Sequence, residues 1–230
     1  MDKITDIKAI SFDGDQTLWD FQKVMRHSLG YVMLELEKTD PVAASRLDIN
    51  KMIEIRDRVT RELSGKFTHL ETLRLEAFKQ TLRDVGRPDD TLATRLNEVY
   101  LKHRFEDIEL YDDVLPTLQT LKKKYALGLL SNGNSYPERC GLDNIFRFVV
   151  FAQDCGVEKP APEFYRIAVE KSGFKKEELL HVGDSLENDA IGANNAGIRS
   201  VWLNRQPSLL EPHAKIDYEI RTLTELLEFL

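Results

Sequence analysis

The residues best suited to chemistry fall in four short segments: Asp13-Gly14-Asp15-Gln16-Thr17, Ser131-Asn132-Gly133, Glu158-Lys159-Pro160, and Gly183-Asp184 followed by Asp189. Asp13 and Asp15 are two residues apart, so in an extended segment their side chains share a face. Three carboxylates brought together repel one another unless a hard cation lies among them or one keeps its proton. Mg²⁺ takes oxygen ligands and is often held by only a few carboxylates together with a substrate phosphate. Asp13 and Asp184 are the natural side-chain ligands. Asp15 can offer its backbone carbonyl instead, which frees its carboxyl for proton transfer. Lys159 and the amides after Ser131 would neutralise a phosphoryl group in transit.

These segments can meet only if the chain brings several strand ends to one edge. Ile7–Phe12 reads as a buried strand that runs into the Asp13 turn. Asp20 is placed to cap a helix carrying Phe21, Met25, Leu29, Val32 and Leu36 at helical spacing. Helical patterns follow over Ile49–Leu63, over Leu70–Val85 with a Thr68/Glu71 capping box, and, after the Arg87-Pro88-Asp89-Asp90 break, over Leu92–Phe105. Beyond Tyr111 helices and strands alternate. Helices are predicted over Leu115–Lys124, Phe164–Lys171, Asn188–Ala196 and Leu223–Leu230; strands over Ala126–Leu130, Phe148–Phe151, Leu179–Val182 and Ser200–Leu203. The expectation is an α/β fold. A doubly wound, Rossmann-like parallel sheet core is formed by residues 1–18 and 109–230, and an α-helical cap domain, 19–108, is inserted after the first strand. In such a sheet ligands bind where the carboxyl ends of the strands converge.

Composition fits a folded protein of this size. The chain has 230 residues, 42% hydrophobic and 31% charged, with a net charge of -7. That acidic balance disfavours a nucleic acid polymer or an anionic membrane surface as partner, while leaving room for a small anionic substrate. Two cysteines, Cys140 and Cys155, form no CxxC pair, and no run approaches the length of a membrane span. With no apolar signal core at the start of the chain, the expected location is cytoplasmic.

Taken in order, the four segments resemble the motifs of the haloacid dehalogenase superfamily, in particular its phosphatase branch with a helical cap. Asp13-Gly14-Asp15-Gln16-Thr17 matches that family's DxDxT motif, Ser131 its strand-end Ser or Thr, Lys159-Pro160 its lysine motif, and Gly183-Asp184 with Asp189 its final acidic motif. The resemblance implies a Mg²⁺-dependent phosphomonoester hydrolase acting on a small phosphorylated metabolite, a nucleotide or a sugar phosphate. Asp13 would be the nucleophile and Asp15 the acid and base, with Asp13, Asp15 and Asp184 at the metal. Thr17, Ser131, Asn132 and Lys159 would lie at the phosphate, with Lys159 also catalytic, and Asp189 would orient Lys159 or the metal shell. The cap would close to exclude water and shape the substrate pocket. One departure stands out: the position after the second Asp, often Gly in this family, is Gln16, while Gly14 lies earlier and is a candidate for easing the turn.

Other residues have plainer readings. Lys122-Lys123-Lys124 suits the negative end of a helix, and Asp184 suits the cap of the helix after it. Trp19 has two readings, stacking on a substrate ring or packing beneath the junction with the helical insert. Arg26, Arg61 and Arg74 suit solvated helix faces. The five histidines show no metal-binding spacing such as HExxH. Three competing functions share the motifs: a phosphomutase, a 2-haloacid dehalogenase and a non-catalytic binding module. The family's dehalogenases lack an Asp at the place of Asp15.

Overall fold

The computed structural model describes residues 3–63, 70–206 and 216–230, and Thr68 lies outside them. The chain divides into two compact units, residues 1–20 with 109–230 and residues 21–108.

The first unit is built on a six-stranded sheet: β1 (Ala9–Phe12), β2 (Ala126–Ser131), β3 (Phe148–Phe151), β4 (Leu179–Gly183), β5 (Arg199–Leu203) and β6 (Tyr218–Ile220). Every pairing is parallel, in the order β3-β2-β1-β4-β5-β6. In β1 all four residues are buried, the near-continuous burial that a sheet covered on both faces demands. Ala9 lies opposite Ala126 on one side and Leu179 on the other, which puts the ends of β1, β2 and β4 side by side. Ala9, Leu130, Phe148, Val150 and Leu179 pack with Phe164, Tyr165 and Ala168 in one apolar cluster.

The second unit is helical: α1 (Phe21–Thr39), α2 (Pro41–Ala44), α3 (Ile49–Leu63), α4 (Leu70–Asp84) and α5 (Asp90–Glu106). α1 buries Val24, Met25, Ser28, Leu29, Val32 and Leu36, an apolar stripe at helical period. Met25, Leu29, Val32 and Leu36 pack with Met52, Phe78, Leu82, Leu96 and Tyr100 into a core of the unit's own. The predicted break before α5 is its cap: the Asp89 side chain accepts the Leu92 N–H at 2.9 Å.

The remaining helices belong to the sheet unit: α6 (Val114–Leu121), α7 (Ala152–Cys155), α8 (Pro162–Ser172), α9 (Gly192–Asn195) and α10 (Leu226–Phe229). Several differ from expectation in ways with local causes. α6 stops at Leu121, and the three lysines after it form a turn in which the Lys122 N–H bonds the Leu118 carbonyl. The helix expected over Asn188–Ala196 begins earlier, as a π-helical turn over Leu186–Ile191, and tightens into α9. Its cap is Ser185, whose Oγ accepts the Asn188 N–H at 3.1 Å, so Asp184 is not spent on that role. The closing helix starts as a 3₁₀ turn, Leu223–Glu225, under a Thr222/Glu225 capping box. α2 and β6 are too short for periodicity to reveal. Among the described residues no helix is long and apolar enough to cross a membrane.

Gly128 in β2 pairs with Phe148 in β3, and a Cβ built there would lie 2.2 Å from the Phe148 ring. Gly128→Ala must therefore displace that ring from the core. A loss of about 1–3 kcal/mol in urea unfolding is expected.

Candidate active site

The sheet order reverses direction between β1 and β4, and the crevice at that switch is where an open α/β sheet binds ligands. Asp13 follows β1, and its N–H continues the ladder to the Val182 carbonyl at 2.8 Å. Asp184 follows β4, so the register of two neighbouring strands delivers two carboxylates to the same edge.

Lys159 enters from a loop and is buried, 3% exposed. Its ammonium donates to Asp13 Oδ1 at 2.5 Å, to Asp189 Oδ1 at 2.6 Å and to the Leu130 carbonyl at 3.0 Å, which accounts for all three of its hydrogens. Its backbone is clamped by Asn132, whose amide donates to the Lys159 carbonyl at 2.9 Å and accepts the Lys159 N–H at 2.8 Å. Asn132, expected at the phosphate, therefore spends its side chain on placing the lysine.

Asp189 is equally occupied. Besides Lys159, Oδ1 meets His181 Nε2 at 3.1 Å, and Oδ2 accepts the Ser185 N–H at 3.0 Å. The other ring nitrogen of His181 faces Ser11 Oγ at 2.9 Å. The packing is tight enough that a Cβ on Gly183 would fall 2.3 Å from the Asp189 carboxyl. Thr17 bridges to the other acid: its hydroxyl donates to Asp184 Oδ1 at 3.2 Å and accepts the Asp184 N–H at 3.0 Å. Ser131 is buried, and its Oγ accepts the Gly133 N–H at 2.9 Å, which shapes the turn after β2.

Oxygens of Asp13, Asp184 and Asp189 lie within 4.8 Å of one another. The third member of this close cluster is thus Asp189, not Asp15. The Asp15 carboxylate turns instead to Trp19, whose indole N–H donates to Asp15 Oδ1 at 2.7 Å. Trp19 is buried and its backbone bridges Leu110, which fits the packing reading, and its indole also fixes an acid. A Cβ on Gly14 would come within 2.7 Å of the Trp19 ring, so Gly14 is there for clearance. The left-handed residue of the turn is Gln16, at φ 65°, a conformation Gly adopts freely and Gln adopts at a cost of about 1 kcal/mol.

One lysine among two buried acids and the half-buried Asp184 leaves an excess of negative charge. Burial raises the Asp13 carboxyl well above its ordinary value, with Lys159 opposing and Asp189 and Asp184 adding to the rise. Burial, together with Asp189, pushes Asp184 up to about 7, against the Thr17 hydrogen bond and Lys159. Burial would raise Asp189 too, but Lys159 and His181 outweigh it and hold that acid below the usual range. Lys159 is raised despite its burial, because Asp13 and Asp189 flank it. Burial lowers His181 and favours its neutral ring. Asp189 is thus satisfied by protein donors, while Asp13 and Asp184 remain under-compensated. An all-oxygen pair of this kind fits a hard divalent cation.

The comparisons agree with this geometry. The family described as haloacid dehalogenase-like hydrolase matches residues 7–197. The chain belongs to that family. Among relatives, it is 29% identical to the 5-amino-6-(5-phospho-D-ribitylamino)uracil phosphatase YigB of Escherichia coli strain K12, over 96% of each chain. It is 30% identical to the glyceraldehyde 3-phosphate phosphatase of Methanopyrus kandleri, again over 96% of each. A crystal structure of 2-haloacid dehalogenase from Pseudomonas syringae pv. Tomato DC3000 superposes with a TM-score of 0.82, at 31% identity over 97% of each chain. Hydrolases of this family thus include relatives named for phosphate-ester and for carbon–halogen chemistry.

Several supporting residues carried no sequence signal. His181 sits inside an apolar strand, and Trp202, also read only as strand core, donates its indole N–H to the Asp184 carbonyl at 2.8 Å. Arg205 donates to the Thr17 carbonyl at 3.0 Å and pairs with Asp113 at 2.8 Å, fixing the far end of the Asp13–Thr17 loop.

The raised Asp184 gives a sign for pH dependence. Its folded-state value of about 7 exceeds the ordinary 3.8, so its ionised form destabilises the fold. That cost is full above about pH 7 and disappears as pH falls toward 3.8. In EDTA, Asp184→Asn should raise Tm by about 2–4 °C or more at pH 8, with the gain shrinking toward pH 4. Thermal unfolding across that pH range measures it.

Proposed function

We propose that this hydrolase cleaves small phosphate monoesters, with Asp13 as nucleophile and Asp15 as acid and base. The observation that carries the reading is the separation of the two carboxylates that follow β1. Asp13 is drawn into the charged cluster by Lys159, and Asp15 is held apart by Trp19. A nucleophile must be ionised; the lysine at 2.5 Å pulls Asp13 toward that form against burial, which on balance raises its carboxyl, and a bound cation would add to the lysine's pull. A proton donor must be a carboxyl distinct from the attacking one, and the indole bond fixes the Asp15 carboxyl outside the close cluster of Asp13, Asp184 and Asp189.

In this reading Asp13 attacks phosphorus, the ester oxygen leaves with a proton from Asp15, and an aspartyl-phosphate forms on Asp13. Asp15, now ionised, takes a proton from the water that attacks the same phosphorus, which releases phosphate and restores both acids. Lys159 and the amides of the Ser131 turn offset charge on the phosphoryl oxygens. Thr17, Asn132 and Asp189 keep Asp184 and Lys159 in place. Asp13, Asp184 and the backbone carbonyl of Asp15 would hold Mg²⁺, which would supply positive charge against the phosphate. The helical unit serves as a cap that selects the substrate. The two phosphatase relatives, whose names specify small phosphorylated metabolites, support that substrate class. The dehalogenase likeness favours a second reading, against which Asp15 stands.

Purified protein should release p-nitrophenol from para-nitrophenyl phosphate with Mg²⁺ and stop in EDTA. Asp13→Asn should lower kcat by at least about 10³-fold, as expected when the attacking group is removed. Chloride release from 2-chloropropionate, with no phosphate release from any monoester, would favour the second reading instead.

A further inference from the structure

The helical unit carries a cluster of its own that could hold a metal ion. His27 lies on α1, His103 on α5, and Asp107 is the residue that caps α5, its N–H bonding the His103 carbonyl at 3.1 Å. The start of α1 meets the end of α5, so side chains 80 residues apart converge. His27 Nε2 lies 3.1 Å from Asp107 Oδ2, and His103 Nδ1 lies 2.8 Å from the same oxygen. One ligand atom from each of the three residues lies within 4.8 Å of those of the other two.

The rings are held in this orientation. Tyr31, one turn beyond His27, stacks flat on His103 with centroids 3.6 Å apart and planes at 4°. It also takes the edge of His27, at 5.1 Å and 81°. One aromatic side chain thus sets both imidazoles. The site is open to water: the side chains of His27, His103 and Asp107 are 50%, 18% and 33% exposed.

We propose that His27, His103 and Asp107 form a binding site for a transition-metal cation of the Zn²⁺ class, which clamps α1 to α5. Two imidazole nitrogens and one carboxylate oxygen are a donor set for Zn²⁺, Ni²⁺ or Cu²⁺, and not for Mg²⁺. Donors around a tetrahedral Zn²⁺ at bond lengths near 2.0–2.1 Å stand about 3.4 Å apart. The observed separations to Oδ2 need open by only a few tenths of an ångström. The metal takes the lone pair of each of these nitrogens, so a proton that either carries toward Oδ2 must leave it on binding. Water completes the coordination from the exposed side. The carbonyl end of α5 adds negative potential beside the cation.

The test is calorimetric titration of the full chain with Zn²⁺, in excess Mg²⁺ so that the oxygen site is competed for. Wild type is compared with His103→Ala and the shape-conserving Asp107→Asn. One saturable equivalent is expected in wild type, weakened at least about tenfold in each variant. Imidazole signals of His27 and His103 should shift on binding, and Zn²⁺ should raise the Tm of wild type more than that of either variant. Absence of saturable binding in wild type, equal binding by the variants, or unmoved imidazole signals would each overturn the proposal.

Discussion

Lys159 reaches Asp13 at 2.5 Å and Asp189 at 2.6 Å with all three side chains buried, and the rest of the site is arranged around that contact. A charge so far from water is tolerable only when paired and fully hydrogen-bonded. The lysine meets both conditions through two carboxylates and the Leu130 carbonyl. Removing one partner of such a group costs about 3–5 kcal/mol. Asn132 therefore holds the lysine backbone, and His181 and the Ser185 N–H hold Asp189. Asp184 is the acid left over. Its proximity to Asp13 and Asp189 stores repulsion that a divalent cation would relieve, so the same charge imbalance costs stability and creates affinity.

The fold supplies this contact from distant parts of the chain. β1 and β4 are neighbours at the point where strand order reverses, and their ends bring Asp13 and Asp184 together across about 170 residues of sequence. Small residues then permit the close approach: Gly183 beside Asp189, Gly14 beneath Trp19, and Gly133 beside Asp15. The Asp15 carboxylate is held by the indole, outside the close cluster of the other three acids.

Much of this was readable from the chain because its signals are local. A buried apolar run followed at once by an acid or hydroxyl identifies a strand end, and the alternation of such runs with helical patterns identifies the parallel sheet. The same logic failed where meaning depended on a partner far away. His181 is one polar residue in an apolar strand, and nothing nearby marks Asp189 as its partner. Asn132 looks like a turn residue, yet it serves Lys159, 27 residues on. Asp184, read as a metal ligand, also suited a cap, but Ser185 does that work and leaves the acid unspent. Gln16 adopts the left-handed backbone that a glycine would otherwise mark, so the turn's own glycine, Gly14, pointed to the wrong position. β6, three residues long, has no period to detect. His27 and Asp107 become a pair only when α1 packs on α5.

The central claim is that Asp13 accepts the phosphoryl group and Asp15 manages the protons. Its most direct test is mass spectrometry of Asp15→Asn protein, quenched in acid after mixing with a phosphate monoester bearing a good leaving group. The account predicts a phosphoryl adduct on the peptide containing Asp13 that persists because its hydrolysis lacks a base. An adduct on another residue, or steady turnover by this variant with no adduct at any time, would contradict it.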